Sequence, residues 1–285
     1  MPSESARLIQ LDDLSALDIG DVVEQAQQRL GRRFTADESH FSRVNGTAGF
    51  PTDAGTWVRL SWRRPSRFDM RSWTGTEAAA AIRGVPRPQW IAAATWNDVD
   101  RAVIWKAEET SLAPAPAVAA VAEITIAPSL PDRWWADLMT ALDTLADHTT
   151  DRIALEQDHL SRRIHEVYGS DIDTRVPDRE WRCAHGDLGY ANLTGPELAL
   201  LDWESWGMAP QGWDAACLWS ASLGVPEVAE QVLAQFSDDL STRAGRLCRL
   251  LLCANTARAA KRTGRTSPLT TAMAEAADTL LAKLV

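Results

Sequence analysis

The sequence predicts an α+β fold in two unequal parts: a small N-terminal part with an antiparallel sheet and a larger, mainly helical C-terminal part. Runs rich in β-branched and aromatic residues lie before residue 110, whereas apolar residues recur at helical spacing after residue 130. Between them, the alanine- and proline-rich stretch Ala113–Ala122 is typical of a linker. We therefore expect two domains, residues 1–110 and residues 111–285.

The N-terminal part is expected to alternate strands with short helices. Residues 41–50 contain Gly46 and Gly49 between apolar residues, which predicts a hairpin with a flexible turn. The alanine-rich segment 75–84 ends at a glycine and predicts a short helix. The remaining predicted elements are a helix at 20–31 and strands at 56–62, 85–96 and 102–109.

The C-terminal part is expected to be helical around one irregular segment. Residues 179–207 hold two short strand-like runs around polar residues, the second of them from Leu198 to Trp203. The predicted helices are 132–149, 153–169, 213–222, 226–241, 243–262 and 268–284.

Composition limits the functions that the chain can have. The net charge is −10, so duplex nucleic acid is not an expected partner, whereas a cationic substrate is compatible with the charge. No apolar run reaches the about 18 residues of a membrane helix. The N-terminus lacks the features of a signal peptide, so we expect a cytoplasmic protein with reduced cysteines and no membrane partner.

One polar segment carries the chemistry of phosphoryl transfer. It runs from His185 through Asp187 to Asn192, and Asp202 follows ten residues later, after the apolar run 198–201. Phosphoryl transfer needs Mg²⁺ held by oxygen ligands and a carboxylate near the attacking hydroxyl. An Asp and an Asn on one loop, with a second Asp after the next strand, supply one base and two metal ligands.

This segment resembles the aminoglycoside phosphotransferase and choline kinase superfamily, which is related to the protein kinases. The family motifs H-G-D-x-x-x-x-N and D-x-[DE] match His185–Asn192 and Asp202–Glu204. The resemblance implies a protein-kinase-like two-lobe fold, with Asp187 as catalytic base and with Asn192 and Asp202 binding Mg²⁺. His185 would support the loop. Asp214, after the stretch Gly207–Pro210, would cap a helix and hold the catalytic loop by hydrogen bonds.

The resemblance also implies nucleotide-binding residues in the N-terminal part. Trp57 and Arg59 match the aromatic and basic positions of the family's third strand, where Trp57 would stack on adenine and Arg59 would contact phosphate. Glu77 is the candidate partner of that cation, and Gly46 lies in the expected phosphate-covering turn. The hinge that would bind adenine through its backbone falls at Trp105–Glu109 and includes Glu108.

The resemblance implies an ATP- and Mg²⁺-dependent phosphotransferase that acts on a hydroxyl of a small molecule. Aminoglycoside-like antibiotics, amino sugars and amino alcohols are the expected acceptor classes, and Trp206 is the tryptophan favoured for an aromatic substrate pocket. The chain departs from the family pattern in two places, with arginine at 59 in place of lysine and with a compact turn followed by Pro51. These departures leave a second hypothesis open. In that hypothesis, the chain is a catalytically weak or inactive kinase-like module that binds a protein or peptide. A protein kinase fits less well, because no activation-loop ending is visible.

Overall fold

The computed structural model describes residues 13–35, 39–42, 46–266 and 268–284. By their contacts these residues form two units. The first comprises the chain up to Trp73 together with Pro88–Ala113, and the second comprises Thr74–Arg87 together with the chain from Pro114 onward. Among the described residues, no helix combines the length and the apolar character needed to cross a membrane.

The first unit is built on a five-stranded antiparallel sheet with strand order β1-β2-β3-β5-β4. Alternate residues of the strands, such as Val58, Leu60 and Trp105, are buried against apolar residues of helix α1. The elements are α1 (Gly20–Leu30), β1 (His40–Phe41), β2 (Ala48–Pro51), β3 (Thr56–Arg63), α2 (Met70–Trp73), β4 (Trp90–Asp98) and β5 (Val103–Ser111).

A buried carboxylate ties the end of α1 to this sheet. The Glu109 side chain is almost fully buried, and its Oε1 accepts hydrogen bonds from Arg32 Nε at 2.7 Å and Thr56 Oγ1 at 2.6 Å. A buried carboxylate needs such partners, because water no longer solvates it. Arg32 follows Gly31, whose left-handed backbone ends α1.

The second unit is mainly helical and encloses a large apolar core. A short antiparallel pair of strands, β6 and β7, is the one sheet of this unit within the described residues. The elements are α3 (Gly75–Ala79), α4 (Asp132–Ala146), α5 (Gln157–Tyr168), β6 (Trp181–Ala184), β7 (Gly207–Pro210), α6 (Trp213–Ser222), α7 (Pro226–Gln235), α8 (Ser237–Leu240), α9 (Arg243–Thr263) and α10 (Pro268–Leu284).

The strand predicted over Leu198–Trp203 is wrong. An isolated bridge between Leu193 and Leu200 is all the pairing that the described chain makes there. The backbone cannot stay extended, because Asp202 has a φ of +57° and Trp203 turns back to donate its indole N–H to the Leu200 carbonyl. The second short strand is β7 instead, and its Ala209 is buried.

The helix predicted over 75–84 is shorter and belongs to the second unit. Helix α3 ends at Ala79, and the next turns bond to residues three positions back, as in Ile82 N–H to the Ala79 carbonyl at 3.0 Å. The sequence placed this segment in the N-terminal part. The apolar side chains of Ala79, Ile82 and Val85 pack into the core of the second unit, so its contacts lie there.

Candidate functional site

The segment 185–192, here called the catalytic loop after the role that the resemblance implies for Asp187, follows β6 directly. Strand β6 pairs with β7 so that Ala184 lies opposite Gly207. His185, Leu188 and Tyr190 are buried, whereas Asp187 is exposed. Because its neighbours in the loop are buried, the backbone at Asp187 is held in place and the Asp187 side chain is directed outward.

Asp214 holds the first residues of this loop. Its Oδ2 accepts the backbone N–H of His185 at 2.6 Å, and its Oδ1 accepts that of Gly186 at 3.0 Å. Burial raises the pKa of the Asp214 carboxyl, while His185 and the two N–H groups act in the opposite direction. The predicted hydrogen bonds are confirmed. The predicted helix cap is not, because the N-cap position of α6 is Gly212 and Asp214 turns back to the loop.

His185 joins the catalytic loop to the residue before Asp202. Its Nε2 lies 2.7 Å from the Leu201 carbonyl oxygen, and its ring packs edge-on against Trp203 at 4.9 Å. A carbonyl can only accept, so Nε2 carries the proton and His185 donates the bond. The ring is fully buried, which agrees with the supporting role expected for it.

Asn192 and Asp202 are brought together by the main chain. Leu201 N–H donates to the Asn192 carbonyl at 2.8 Å, which places Asp202 one residue beyond this contact. Asn192 Nδ2 donates to the Asp187 carbonyl at 2.8 Å. The Asn192 amide nitrogen is therefore engaged inside the loop, which leaves its Oδ1 as the atom able to accept a cation.

The donor set suits Mg²⁺. A carboxylate from Asp202 and an amide oxygen from Asn192 are hard ligands, and Mg²⁺ is usually held by one or two carboxylates with phosphate oxygens and water. Asp202 also has a left-handed backbone, an uncommon conformation for a residue with a side chain. Such conformations are often found at functional sites.

Glycine allows the catalytic loop to touch the segment 202–206, here called the metal loop after the role that the resemblance implies for Asp202. Gly186 has a φ of +89°, and a Cβ added to it would lie 2.3 Å from the Ser205 carbonyl oxygen. A contact below 3.0 Å is not tolerated against backbone, so no other residue fits without moving one of the loops. The glycine of the H-G-D motif therefore has a structural reason.

Trp206 does not line a substrate pocket, contrary to the sequence prediction. Only 3% of the residue is exposed. Its indole N–H donates to the Gly75 carbonyl at 2.8 Å, and the Arg152 guanidinium lies 4.8 Å from the ring centroid. Both the polar tip and one face of the ring are therefore occupied within the protein.

The predicted nucleotide residues of the first unit share one face of the sheet. Trp57 and Arg59 alternate with the buried residues Val58 and Leu60, and Arg59 lies opposite Glu108 in the register. The Trp57 ring lies against Gly49, where a Cβ would come within 2.0 Å of it.

The same face carries a lysine that the sequence did not single out for this role. Lys106 is buried, and its Nζ lies 3.0 Å from Glu108 Oε1 and 2.6 Å from the Trp73 carbonyl. The signal is the alternation of side chains along a strand. Lys106 lies two residues from Glu108 in β5, so both side chains are on the face of the sheet that carries Arg59.

Of the other two predicted residues, Gly46 precedes β2 and Glu77 lies in α3. Gly46 has a φ of +60°, as a turn requires, although its neighbour Asn45 lies outside the described residues. Glu77 is exposed in the first turn of α3, in the second unit.

A cavity of about 580 Å³ opens in the second unit. Its lining includes Ala184 and Asp214, which flank and hold the catalytic loop. Four further carboxylates contribute to it, from Asp143, Asp147, Asp238 and Asp239. Burial, followed by the charges of Asp239 and Asp147, raises the pKa of the Asp143 carboxyl. The cavity is therefore rich in carboxylates, although Arg182 also lines it and Asp187, Asn192 and Asp202 are not among its lining residues.

Comparison with solved structures identifies the fold. The protein is similar to an amicoumacin kinase in complex with AMP-PNP, Ca²⁺ and Ami (TM-score 0.57, 13% identity, 98% of this chain and 95% of that chain). It is also similar to a thermostable mutant of aminoglycoside phosphotransferase APH(4)-Ia (TM-score 0.56, 12% identity, 92% and 98%). A third is the choline kinase LicA from Streptococcus pneumoniae (TM-score 0.54, 11% identity, 93% and 98%).

At these identities the similarity shows the fold alone. No family model matches the sequence, and no curated protein matches it either. The predicted kinase-like α+β fold, with an antiparallel sheet in the N-terminal part and helices in the C-terminal part, is confirmed by the structure and by these neighbours.

Replacing Asp214 by Asn tests the anchor of the catalytic loop. The amide presents an NH₂ group toward one of two backbone donors, so one buried N–H loses its acceptor. We expect a loss of about 2 kcal/mol in the free energy of unfolding, measured by urea denaturation. The control is Asp238→Asn, because Asp238 is exposed and its change should stay within about 0.5 kcal/mol. Equal stability of both variants would contradict the anchoring role.

Proposed function

We propose that the protein is an ATP- and Mg²⁺-dependent phosphotransferase that transfers the γ-phosphate to a hydroxyl of a small molecule. The observation that carries this proposal is a pair of hydrogen bonds, one between main-chain atoms and one from the Asn192 side chain, that links the positions of Asp187, Asn192 and Asp202. The Leu201–Asn192 hydrogen bond and the bond from Asn192 to the Asp187 carbonyl connect all three. Phosphoryl transfer needs a base and a metal site in a fixed relation, because positioning provides most of its rate.

The residues divide the reaction between them. Asp187, exposed on a fixed loop, would orient the acceptor hydroxyl and take its proton as the oxygen bonds to the γ-phosphorus and the bond from that phosphorus to ADP breaks. Asp202 and the Oδ1 of Asn192 would hold Mg²⁺, which neutralises charge on the phosphates. His185 and Asp214 would be structural, since both are buried, His185 Nε2 bonds the Leu201 carbonyl, and Asp214 accepts the first N–H groups of the catalytic loop.

The nucleotide side of the proposal rests on the first unit. Trp57 and Arg59 lie half-buried on the face of the sheet opposite its apolar core, and an aromatic ring and a cation are the groups that suit adenine and phosphate. Glu108, Gly46 and Glu77 remain candidates for nucleotide binding. The similar amicoumacin kinase was solved with AMP-PNP, which supports a nucleotide as the phosphate donor.

The acidic cavity supports an acceptor that carries amines. Its carboxylates Asp143, Asp147 and Asp238 favour a cation over a neutral polyol. Rate measurements with amino sugars, amino alcohols and matched neutral sugars test this preference. We expect a lower KM for the amines, by about tenfold, since one good ionic contact contributes roughly 1.4 kcal/mol. The difference should diminish in high salt, and equal KM values would contradict the amine preference.

Replacing Asp187 by Asn tests the proposed base. The amide keeps the size of the side chain but cannot take a proton, so kcat should fall by about 100-fold or more. The measurement is ADP release with MgATP and the panel of hydroxylated amines. Asp171→Asn, an exposed position outside both loops, is the matched control and should keep the wild-type rate.

Two results would contradict the proposal in different ways. A near wild-type rate in Asp187→Asn would remove this residue as the base. Binding of MgATP without phosphorylation of any acceptor would favour the kinase-like binding module instead.

A further inference from the structure

We infer that Arg152 and Trp206 act as positioning residues that set the metal loop, residues 202–206. The inference rests on the proposed function, because it concerns how well Asp202 binds the metal. Neither residue belongs to the matched motifs. We call the pair and its contacts the Arg152–Trp206 clamp.

The Arg152 side chain spans the metal loop. Its Nε donates to the Trp206 carbonyl at 3.0 Å, and its terminal nitrogen donates to the Glu204 carbonyl at 3.2 Å. The same guanidinium lies over the Trp206 ring at 4.8 Å. A planar fork that bonds two carbonyls and stacks on an indole fixes both distance and direction, which a lysine cannot do.

The backbone of Arg152 is itself held in place. Met208 N–H donates to the Arg152 carbonyl at 2.8 Å, and Ala154 N–H donates to the Met208 carbonyl at 3.0 Å. At Gly207 a Cβ would lie 2.6 Å from the Arg152 carbonyl carbon. The clamp is thus attached to β7, the strand that leaves the metal loop.

Trp206 extends the clamp to helix α3. Its indole N–H bonds to the carbonyl of Gly75, the first residue of α3. A Cβ at Gly75 would lie 2.4 Å from the Trp203 carbonyl oxygen and 2.5 Å from Glu204 Cα. The helix that bears Glu77 and the loop that bears Asp202 are therefore in direct contact.

The clamp gives a reason for the unusual backbone of Asp202. A left-handed residue with a side chain persists when the surrounding structure over-determines it. His185 holds the preceding carbonyl, that of Leu201, and the clamp holds the following ones, those of Glu204 and Trp206. Contacts on both sides thus fix the direction in which the Asp202 carboxylate leaves the chain.

The test is the affinity of the full-length protein for Mn²⁺, a probe for Mg²⁺, in saturating AMP-PNP. Free Mn²⁺ is measured by electron paramagnetic resonance, so turnover is not required. Arg152→Lys keeps the charge but loses the fork, and we expect the Mn²⁺ dissociation constant to rise about tenfold. A second variant, Trp206→Phe, keeps an aromatic ring, loses the bond to Gly75 and should shift the constant in the same direction.

Arg249→Lys is the matched control. Arg249 also stacks on an indole, that of Trp219 at 5.3 Å, and donates to a main-chain carbonyl, that of Leu240 at 3.2 Å. It lies in α9, outside both loops, so its variant should bind Mn²⁺ like the wild type even where stability falls.

The possible outcomes separate the two proposals. Weaker Mn²⁺ binding in every clamp variant that folds, with normal binding in Arg249→Lys, supports the clamp. Wild-type affinity in a folded clamp variant, or an equal loss in the control, overturns the clamp and leaves the proposed function intact. If the wild type binds no Mn²⁺ with AMP-PNP, the proposed function fails and the clamp fails with it.

Discussion

The buried carboxylate of Asp214 is the contact on which the rest of the site depends. It accepts two consecutive N–H groups at the start of the catalytic loop, in a place where water cannot replace it. With the loop fixed there, His185 reaches the carbonyl of Leu201. The exposed Asp187 can then keep one position relative to Asn192 and Asp202.

Most of the helical part was predictable, because its signals are local. The apolar periodicity gave α6 and α10 with their observed bounds, and the break at Phe236 between α7 and α8 is the main difference there. The motif residues could be predicted for another reason. Phosphoryl transfer requires these residue types at this spacing. The hydrogen bonds of Asp214 were expected from family resemblance, and periodicity alone could not have provided them.

The remaining features depend on tertiary contacts that leave no local pattern. Leu198–Trp203 has the composition of a strand, but the turn at Asp202 serves the site and overrides that preference. Trp206 has the aromatic character of a pocket residue, yet its partners are 54 and 131 residues away in sequence. Arg152 gives no signal at all, since a single arginine in a loop is ordinary until its two carbonyl acceptors are known.

The central claim is that the two loops together form a metal–nucleotide site. Its most direct test is the thermal unfolding of the wild type and of Asp202→Asn, each measured with and without MgATP. A ligand at about 100 times its dissociation constant stabilises the folded state by about 2.7 kcal/mol. We predict this stabilisation for the wild type and its loss in Asp202→Asn. Equal stabilisation of both proteins, or of neither, would contradict a metal–nucleotide site at Asp202.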